Sequence, residues 1–507
     1  MALVATVAIA FADSAIVVLA LPDLLRQYDV SITEVAWVVT AYNVAVAAGG
    51  VALVPLRARV DARRLALAGS VAFVVASLLC AVAPEVWLLI AFRAVQGLAA
   101  AALLVGALPV MTALAPRRGA ALWAGAGVFG AALGPALGGA LTEVFSWRAI
   151  FYAQAPVAAL GAVALIGRRA TAISVLDRAP RARLASLALG LLSAALVGLL
   201  FLAVVQLIDV WRLSPLRAAA VVSAIPLATL IAAPLAGRAR VSGVASGALL
   251  LAGGLAGMAF LPASRLAWVV AALTIAGVGF GLAMPALTRA APGATAVWIR
   301  HAGLVAGLLV ITPLLTTDLS SAGKNAELRG ISTVLDAPVG AKVKLRLAIE
   351  LAPVLARPAR KELPDFTNAV APANDAALTA MGHRLDRVVQ ATVTRAFRGS
   401  FLIAAGFALA AAVFTVRRVR VQAIAALVGV VLLATELASG ALTYGTRPKL
   451  LPPCADRQET LVLEALDEIA CRFHKSREQF VADAAGAGVD AADFAKQVER
   501  LAAVLSR

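Results

Sequence analysis

Long apolar runs separated by short polar gaps fill most of the chain up to residue 316. A helix needs about 20 apolar residues to cross the hydrocarbon core of a bilayer. Runs of this length predict six membrane spans, at residues 3–22, 35–55, 65–83, 86–113, 119–141 and 149–167. They predict a second group at residues 184–207, 215–236, 243–262, 266–287, 297–316 and 399–416, followed by a thirteenth span at 421–442.

The composition identifies a polytopic membrane protein and excludes a soluble globule. Hydrophobic residues make up 62% of the 507 residues and charged residues only 14%, which is too little polar surface for a soluble protein. The formal net charge of +17 does not indicate a nucleic-acid partner, because arginines before residue 320 lie mostly in every second gap. The positive-inside rule makes those gaps cytoplasmic. We therefore expect a multi-pass protein of the cell membrane with a cytoplasmic N-terminus and, after thirteen spans, an extracytoplasmic C-terminus.

The spans and the segments between them divide the chain into seven parts. They are an N-terminal six-helix bundle (1–167), a central cytoplasmic loop (168–183), the first five helices of a C-terminal bundle (184–316), an extracytoplasmic helical insertion (317–397), a twelfth transmembrane helix (398–416), an additional transmembrane helix (421–442) and a helical tail (443–507). Within the insertion, the pattern predicts amphipathic helices at 341–356 and 375–395. In the tail, Ser476 with Gln479 predicts a capping box, and Asp490 predicts the start of the last helix.

The fifth predicted span carries glycine at every fourth position. Gly130, Gly134 and Gly138 fall on one helix face, with Pro135 and Gly139 in the same stretch. These residues would weaken a soluble helix, whereas in a bilayer small residues let neighbouring helices pack closely. We interpret the segment as a hinge, and helix packing alone is the simpler alternative.

Two charged residues lie deep within predicted spans. Asp13 is near the middle of the first span, and Arg93, about seven residues into the fourth, shares a face with Gln96 and Gly97. A charge at the bilayer centre costs about 2.5–3.5 kcal/mol on insertion scales, so we expect both side chains to face the bundle interior. Our hypothesis is that Asp13 exchanges a proton in competition with a cationic substrate or Arg93. The alternative is structural, with Asp13 bonding to a neighbouring helix and Arg93 ordering the first bundle.

Other polar residues within apolar spans are candidates for lining a substrate cavity. They are Trp37, Tyr42, Asn43, Gln96, Gln154 and Gln206. Hydrogen bonding between helices is the commoner role of such side chains, and Trp37 is also suited to anchoring a span at the membrane interface. Arg300 and His301 open the eleventh span, where positive charge is expected at the cytoplasmic edge, and Glu436 lies in the thirteenth.

Three cysteines, Cys80, Cys454 and Cys471, indicate neither a metal cluster nor a disulfide framework. A helix over residues 459–471 would separate the ends of that segment by roughly 20 Å, whereas bridged α-carbons lie within about 7 Å. A disulfide between Cys454 and Cys471 therefore requires a break in that helix. We expect no cofactor and no enzymatic activity, because the sequence contains no phosphate-binding glycine loop and no nucleophile–base arrangement.

Five motifs occur along the first 156 residues in a characteristic order. They are FADSAIVVLALP (Phe11–Pro22), WVVTAYN (Trp37–Asn43), FRAVQG (Phe92–Gly97), GAALGPALGG (Gly130–Gly139) and SWRAIF (Ser146–Phe151). As an ordered set they resemble the major facilitator superfamily, and within it the drug:proton antiporters whose longer members have fourteen spans.

The chain departs from that family in two places. The pattern lacks the central pair of helices found in fourteen-span members. The loop after the second span, LRARVDARRL (Leu56–Leu65), retains Asp61, Arg63 and Arg64 of the family's gating latch but lacks its two glycines. Asp61 is expected to pair with a basic group or a helix N-terminus, and a solvated basic loop is the alternative.

The resemblance implies an all-α polytopic fold of two six-helix bundles, here with one additional C-terminal transmembrane helix and extracytoplasmic helical segments. It also implies a substrate site near the midplane and alternating access. The leading hypothesis is proton-coupled export of a small amphipathic or cationic compound, with the substrate, protons and the lipid bilayer as partners. The alternatives are export of a lipid or natural product, and a transporter-derived scaffold or sensor that moves nothing and binds a protein partner through residues 317–397 or the tail.

Overall fold

The computed structural model describes residues 1–56, 60–167, 182–237, 242–261, 265–290, 294–337, 339–356, 376–415 and 457–505. Within these ranges, ten helices are long and apolar enough to cross a membrane, or eleven if a bent pair is one span. The bent pair is Gly119–Gly130 with Leu133–Val144, and a shorter apolar helix covers Gly243–Ala259. The prediction of a polytopic all-α membrane protein is confirmed.

The first half of the chain forms helices α1 to α7. They are α1 (Ala2–Ile16), α2 (Leu21–Tyr28), α3 (Ile32–Leu56), α4 (Ala62–Ala81), α5 (Val86–Leu114), α6 (Gly119–Val144) and α7 (Arg148–Leu165). A 3-10 turn, Val17–Ala20, joins α1 to α2, so that both belong to one span of 27 residues. The helix α1 packs against α6 and α7, whereas α5 packs against α3 and α4.

The second half forms the remaining helices. They are α8 (Ala182–Val205), α9 (Pro215–Val222), α10 (Ala224–Ala232), α11 (Ser242–Ala259), α12 (Leu266–Ala290), α13 (Ala294–Leu335), α14 (Ala341–Ala356), α15 (Ala376–Thr415), α16 (Arg457–Arg472), α17 (Arg477–Gly486) and α18 (Ala491–Leu505). The helix α12 packs against α10 and α11, and α6 contacts α9 and α10. Every predicted span between residues 3 and 416 therefore coincides with helical structure.

One compact unit comprises Met1–Thr316 and Arg398–Ser439. Large apolar side chains are exposed on its described helices, for example Val75, Trp87, Leu160 and Ile231. Contiguous apolar exposure is unusual in soluble monomers, but it carries no penalty where the neighbours are lipid chains. The outer surface of this unit is therefore that of a protein embedded in a bilayer.

Two helices extend past the boundaries that hydropathy predicts. The helix α13 continues beyond residue 316 to Leu335, and α15 runs from Ala376 to Thr415 without a break at residue 398. The predicted amphipathic helix at 375–395 and the predicted span at 399–416 are therefore parts of one helix. Caps and breaking residues set helix ends, so a change in hydropathy alone does not end a helix.

A second compact unit comprises Thr317–Phe397 and Gly440–Arg507. In its described part, α14 packs against α17 and α18, and α16 packs against α18. These contacts bury Leu345, Leu466 and Phe494. The unit therefore has an apolar core of its own.

Two predicted helix starts in the tail are confirmed. Ser476 and Gln479 form a reciprocal capping box at the start of α17. Asp490 Oδ1 accepts hydrogen bonds from the backbone N–H groups of Ala492 and Asp493 at 2.9 and 3.0 Å. Such caps satisfy N–H groups that have no partner within the helix.

Several predicted features lie outside the described residues. They are most of the central loop (168–181), the thirteenth span (421–442) with Glu436, and Cys454. Cys471 is exposed on α16, which covers the predicted helix at 459–471.

Candidate functional site

Asp13 of α1 and Arg93 of α5 form an ion pair inside the first group of helices. Arg93 Nη1 donates to Asp13 Oδ2, and both side chains are fully buried. Arg93 Nη1 also donates to Gln96 Oε1 at 2.6 Å, and Arg93 Nε donates to the carbonyl of Val38 at 2.9 Å. The structure thus brings together the two charged residues that were predicted to face the interior.

Two glutamines extend this ion pair into a polar network. Gln154 of α7 donates through Nε2 to Asp13 Oδ1 at 2.7 Å and accepts through Oε1 from Gln96 Nε2 at 2.8 Å. Gln96 Nε2 also donates to Ser77 Oγ of α4 at 2.8 Å. The carboxylate of Asp13 is therefore held by two donors from different helices, so protonation of Asp13 requires one of these bonds to change.

Aromatic rings enclose the guanidinium of Arg93. The centroid of the Tyr42 ring lies 4.4 Å from Arg93 Cζ, and that of Phe151 lies 5.6 Å away, both within range of a cation–π interaction. Among the described residues, the buried Nη2 of Arg93 has no hydrogen-bond partner. Buried donors are nearly always satisfied, so this nitrogen is an exception.

The hydroxyl of Tyr42 and the side-chain amide of Asn43 make hydrogen bonds between α3 and α1. Tyr42 Oη donates to the carbonyl of Ala10 at 2.7 Å, and Ser14 Oγ donates to Asn43 Oδ1 at 2.8 Å. Both bonds join α1 to α3, which is the interhelical role that the sequence left open. Trp37, by contrast, is 43% exposed.

Gln206 lies apart from this network at the end of α8. It begins a π-helical turn, Gln206–Val210, and its side chain is buried. Gln206 Oε1 has no hydrogen-bond partner among the described residues. A π-helical turn with an unsatisfied polar atom is frequent at functional sites, so Gln206 stays a candidate for lining a cavity.

The glycine stripe of α6 lies directly on the backbone of α1. A methyl group added to Gly130 would lie 2.0 Å from the carbonyl oxygen of Ala8, and one added to Gly138 would lie 2.2 Å from that of Ile16. At Gly134 the nearest atom, Cβ of Ala15, would be 2.9 Å away. The stripe thus fits α6 against the helix that carries Asp13.

The predicted hinge residues also reach the second half of the chain. A methyl group added to Gly139 would lie 2.2 Å from Cβ of Ala219 in α9. The two halves of α6, before and after residues 131–132, meet at an angle of 44°, and Pro135 lies within the second half. The bend and the close approaches fit both a hinge and close helix packing, so the hinge stays a prediction.

Arg300 and His301 are buried in α13. The guanidinium of Arg300 lies over the ring of Phe11, 4.7 Å from its centroid. The imidazole of His301 stacks on Phe11 at 6.1 Å, with Nδ1 2.8 Å from the carbonyl of Val297. Both residues therefore contact Phe11, which lies two positions before Asp13 in α1, and the charge of the gaps did not predict this contact.

A small cavity lies beside Arg300. Its volume is about 10 Å³, which is room for one water molecule. Its lining includes Phe11, Trp123, Gly127, Leu189 and Thr288. Because α1, α6, α8, α12 and α13 all contribute to the wall, movement of either group of helices would change its size.

The three residues predicted to belong to a gating latch lie at the start of α4. Asp61 is the N-cap and accepts from the backbone N–H of Arg63 at 3.0 Å, while Arg64 Nε lies 3.8 Å from Asp61 Oδ2. Arg63 Nε donates to the carbonyl of Leu165 at 2.9 Å, which ties α4 to the end of α7. Asp61 thus pairs with both a helix N-terminus and a basic group.

Long apolar helices around a buried acid–base pair, with a glycine-lined helix contact beside it, define a membrane transporter. The part of the chain that the structure describes holds no group of three His, Cys, Asp or Glu side chains suited to a metal ion. The chain belongs to the Major Facilitator Superfamily, whose family model matches residues 3–312.

Curated relatives match part of the chain. The multidrug resistance protein Stp of Mycobacterium tuberculosis is 33% identical over 155 residues, which cover 30% of this chain and 29% of Stp. The multidrug efflux pump LfrA of Mycolicibacterium smegmatis is 35% identical over 150 residues, covering 29% and 30% of the two chains. The puromycin resistance protein pur8 of Streptomyces alboniger is 39% identical over 169 residues, covering 31% and 32%. Each match thus spans about a third of the relative's length.

A solved structure shows the same fold. A bacterial homologue of the human lysosomal transporter Spinster, in an inward-facing and unoccupied conformation, aligns with 82% of this chain and 96% of its own. The TM-score is 0.54 and the sequence identity 16%. The agreement is one of fold.

Proposed function

We propose that this transporter exports a small amphipathic or cationic compound in exchange for protons. The observation that carries the proposal is the fully buried contact between Asp13 and Arg93. An ion pair removed from water persists only when its geometry and hydrogen bonds compensate for desolvation. Such a pair can change state when a proton or a charged ligand arrives.

The network suggests how proton and substrate compete. A proton on Asp13 cancels the charge that holds Arg93, while Gln154 and Gln96 keep hydrogen bonds to the neutral acid and to each other. Arg93 is then free to turn its Nη2, which lacks an acceptor among the described residues, towards another group. A cationic substrate would instead displace Arg93 from the ionised carboxylate. Only one of the two ligands then occupies Asp13 at a time, as exchange requires.

Alternating access needs elements that move against each other. The glycine stripe of α6 lacks side chains where it meets α1, and Gly139 approaches α9 in the other half of the chain. We propose this stretch, Gly130–Gly139, as the hinge, with Asp61, Arg63 and Arg64 as the remnant of a cytoplasmic latch. In the same scheme, the N-terminus is cytoplasmic and the C-terminus extracytoplasmic.

The matched relatives support the direction of transport. Stp and LfrA are named as a multidrug resistance protein and a multidrug efflux pump. Each is at least 33% identical to part of this chain. Export of amphipathic compounds is therefore the activity to test first.

Reconstituted vesicles test the proposal directly. The purified protein is placed in proteoliposomes that contain a pH-sensitive dye, and ethidium is the cationic probe. Wild-type protein should couple ethidium movement to proton movement, and Asp13→Asn should abolish the proton signal because an amide cannot exchange a proton. The matched control is Asp23→Asn, since Asp23 lies in α2 and pairs locally with Arg26. Coupled flux in Asp13→Asn equal to that of wild type would remove Asp13 from the mechanism.

A further inference from the structure

The second compact unit contains a cavity surrounded by arginines. Its volume is about 370 Å³. Arg329 of α13 lines one side, and the rest of the described lining comes from α15, namely Arg384, Arg387, Val388, Ala391, Thr392 and Arg395. We call the four arginines the arginine groove. The arginine groove lies outside the residues matched by the family model.

The spacing along α15 places the lining residues on one helix face. At about 100° per residue, the six positions from Arg384 to Arg395 fall within an arc of roughly 140°. Arg384 and Arg395 are nearly in line and roughly 16 Å apart at 1.5 Å rise per residue. Asp386 is about 200° from Arg384 and lies on the opposite face. The three arginines of α15 therefore lie on one face of the helix, and Asp386 lies on the other.

Within the described part of the unit, the arginines of the groove have none of the acidic partners that other arginines have. Among the described residues, Arg329, Arg384 and Arg395 take part in no ion pair, and Arg387 Nε donates to the carbonyl of His383 at 3.2 Å. In the same unit, Arg346 Nε lies 2.7 Å from Glu350 Oε1. Like charges brought together repel one another, so an anion in the cavity would stabilise the arrangement.

The lining of the groove also includes apolar side chains. Val388 and Ala391 line it between the arginines, and Thr392 turns its hydroxyl to the carbonyl of Val388 at 2.8 Å. Along the sequence, α15 leads from Arg395 into the apolar run that begins at Phe401. A ligand matched to this lining has both a charged group and an apolar body.

We propose that the arginine groove binds the phosphate group of an anionic phospholipid. Guanidinium groups form paired, charge-assisted hydrogen bonds with phosphate oxygens, and basic residues next to a membrane span attract anionic headgroups. A free phosphate ester offers the same charged group without the apolar body. The proposal is independent of whether the transporter exchanges protons.

Native mass spectrometry of the full-length protein in detergent tests the proposal. Phosphatidylglycerol is added as the anionic probe and phosphatidylcholine as the zwitterionic one. The variant Arg384→Gln/Arg387→Gln/Arg395→Gln should bind phosphatidylglycerol about 100-fold more weakly, since each arginine near an anionic headgroup contributes roughly fivefold. These side chains are exposed, so the variant should fold.

The matched control removes the same number of charges elsewhere in the unit. Arg346→Gln/Arg472→Gln/Arg500→Gln changes exposed arginines outside the groove and should bind phosphatidylglycerol as wild type does. Equal binding by the groove variant and wild type, or equal binding of the two lipids by wild type, would overturn the proposal. Displacement of the lipid by an equal concentration of glycerol 3-phosphate would overturn the lipid as the source of the phosphate.

Discussion

Gly138 of α6 and Ile16 of α1 meet through their backbones. A methyl group on Gly138 would lie 2.2 Å from the carbonyl oxygen of Ile16, closer than any van der Waals contact allows. Both helices therefore have to separate before any larger residue fits. Because Asp13 lies one turn before Ile16, this contact also fixes the position of the buried carboxylate.

Gly138→Ala should destabilise the protein. Separating two packed helices typically costs about 1–3 kcal/mol, which should lower the unfolding temperature measured by tryptophan fluorescence in detergent. Gly125→Ala is the control, because a methyl group there would have no atom within 4 Å. Replacing a glycine inside a helix by alanine is favourable, so this variant should not lower the unfolding temperature. An unchanged unfolding temperature for Gly138→Ala would contradict the close contact.

Arg93→Gln should destabilise the protein more than the double variant Asp13→Asn/Arg93→Gln. The single change leaves a buried carboxylate without its charged partner, at a cost of about 3–5 kcal/mol, whereas the double change removes both charges. Denaturation of the four proteins of this cycle measures the coupling energy. The double variant should still lack proton-coupled transport, and restored coupling would show that the pair is structural only.

Gln154→Leu should lower both stability and transport. It removes the donor to Asp13 and the acceptor for Gln96, and a buried polar group left unsatisfied costs about 1–3 kcal/mol. Gln206→Leu is the comparison for stability, since Gln206 Oε1 has no partner to lose among the described residues. Equal losses of unfolding temperature in the two variants would argue against a role for the network.

Arg300→Gln should change which probes are transported. The buried guanidinium over Phe11 places a positive charge beside the small cavity, which disfavours cations. Removing that charge should raise the ratio of ethidium transport to transport of a neutral dye by about tenfold, a change of about 1.4 kcal/mol. Competition assays with both dyes measure this ratio, and an unchanged ratio would place the substrate away from Arg300.

Arg477→Gln should loosen the tail. Arg477 is only 7% exposed, with Nη2 2.6 Å from Asp336 Oδ1 and Nε 3.1 Å from Glu478 Oε1. Loss of this cation removes one ion-pair partner from each of three carboxylates, those of Asp336, Asp467 and Glu478, so limited proteolysis should cleave within residues 457–505 several times faster. Arg472→Gln, whose side chain is 74% exposed, should be cleaved at the wild-type rate.

The sequence predicted the membrane class and the two buried charges because both follow from transfer energies. Apolar runs of sufficient length define spans, and the cost of burying Asp13 and Arg93 requires an interior position. The order of motifs then predicted the family. Span length, the cost of burying a charge and the order of motifs do not depend on how one helix is rotated against the next.

Contacts that depend on helix rotation could not be predicted. The bond from Gln154 to Asp13 joins residues 141 positions apart, and no local pattern encodes that register. Arg300 illustrates the same limit, since its place near the start of a span does not indicate that its side chain lies over Phe11. Hydropathy likewise did not predict that α15 is continuous, because it measures how residues partition between water and lipid and does not indicate where a helix ends.

At Gly130 and Gly138, the contact between α1 and α6 is made of backbone on both sides. Neither glycine can be exchanged for a larger residue without forcing the helices apart, whereas residues facing a cavity tolerate exchange of size and polarity. Residues around the cavity can therefore change in successive substitutions, and the transported compound with them, while the helix contact that positions Asp13 is kept. The glycines thus belong to the part of the protein that resists substitution, and the residues that face the cavity belong to the part that tolerates it.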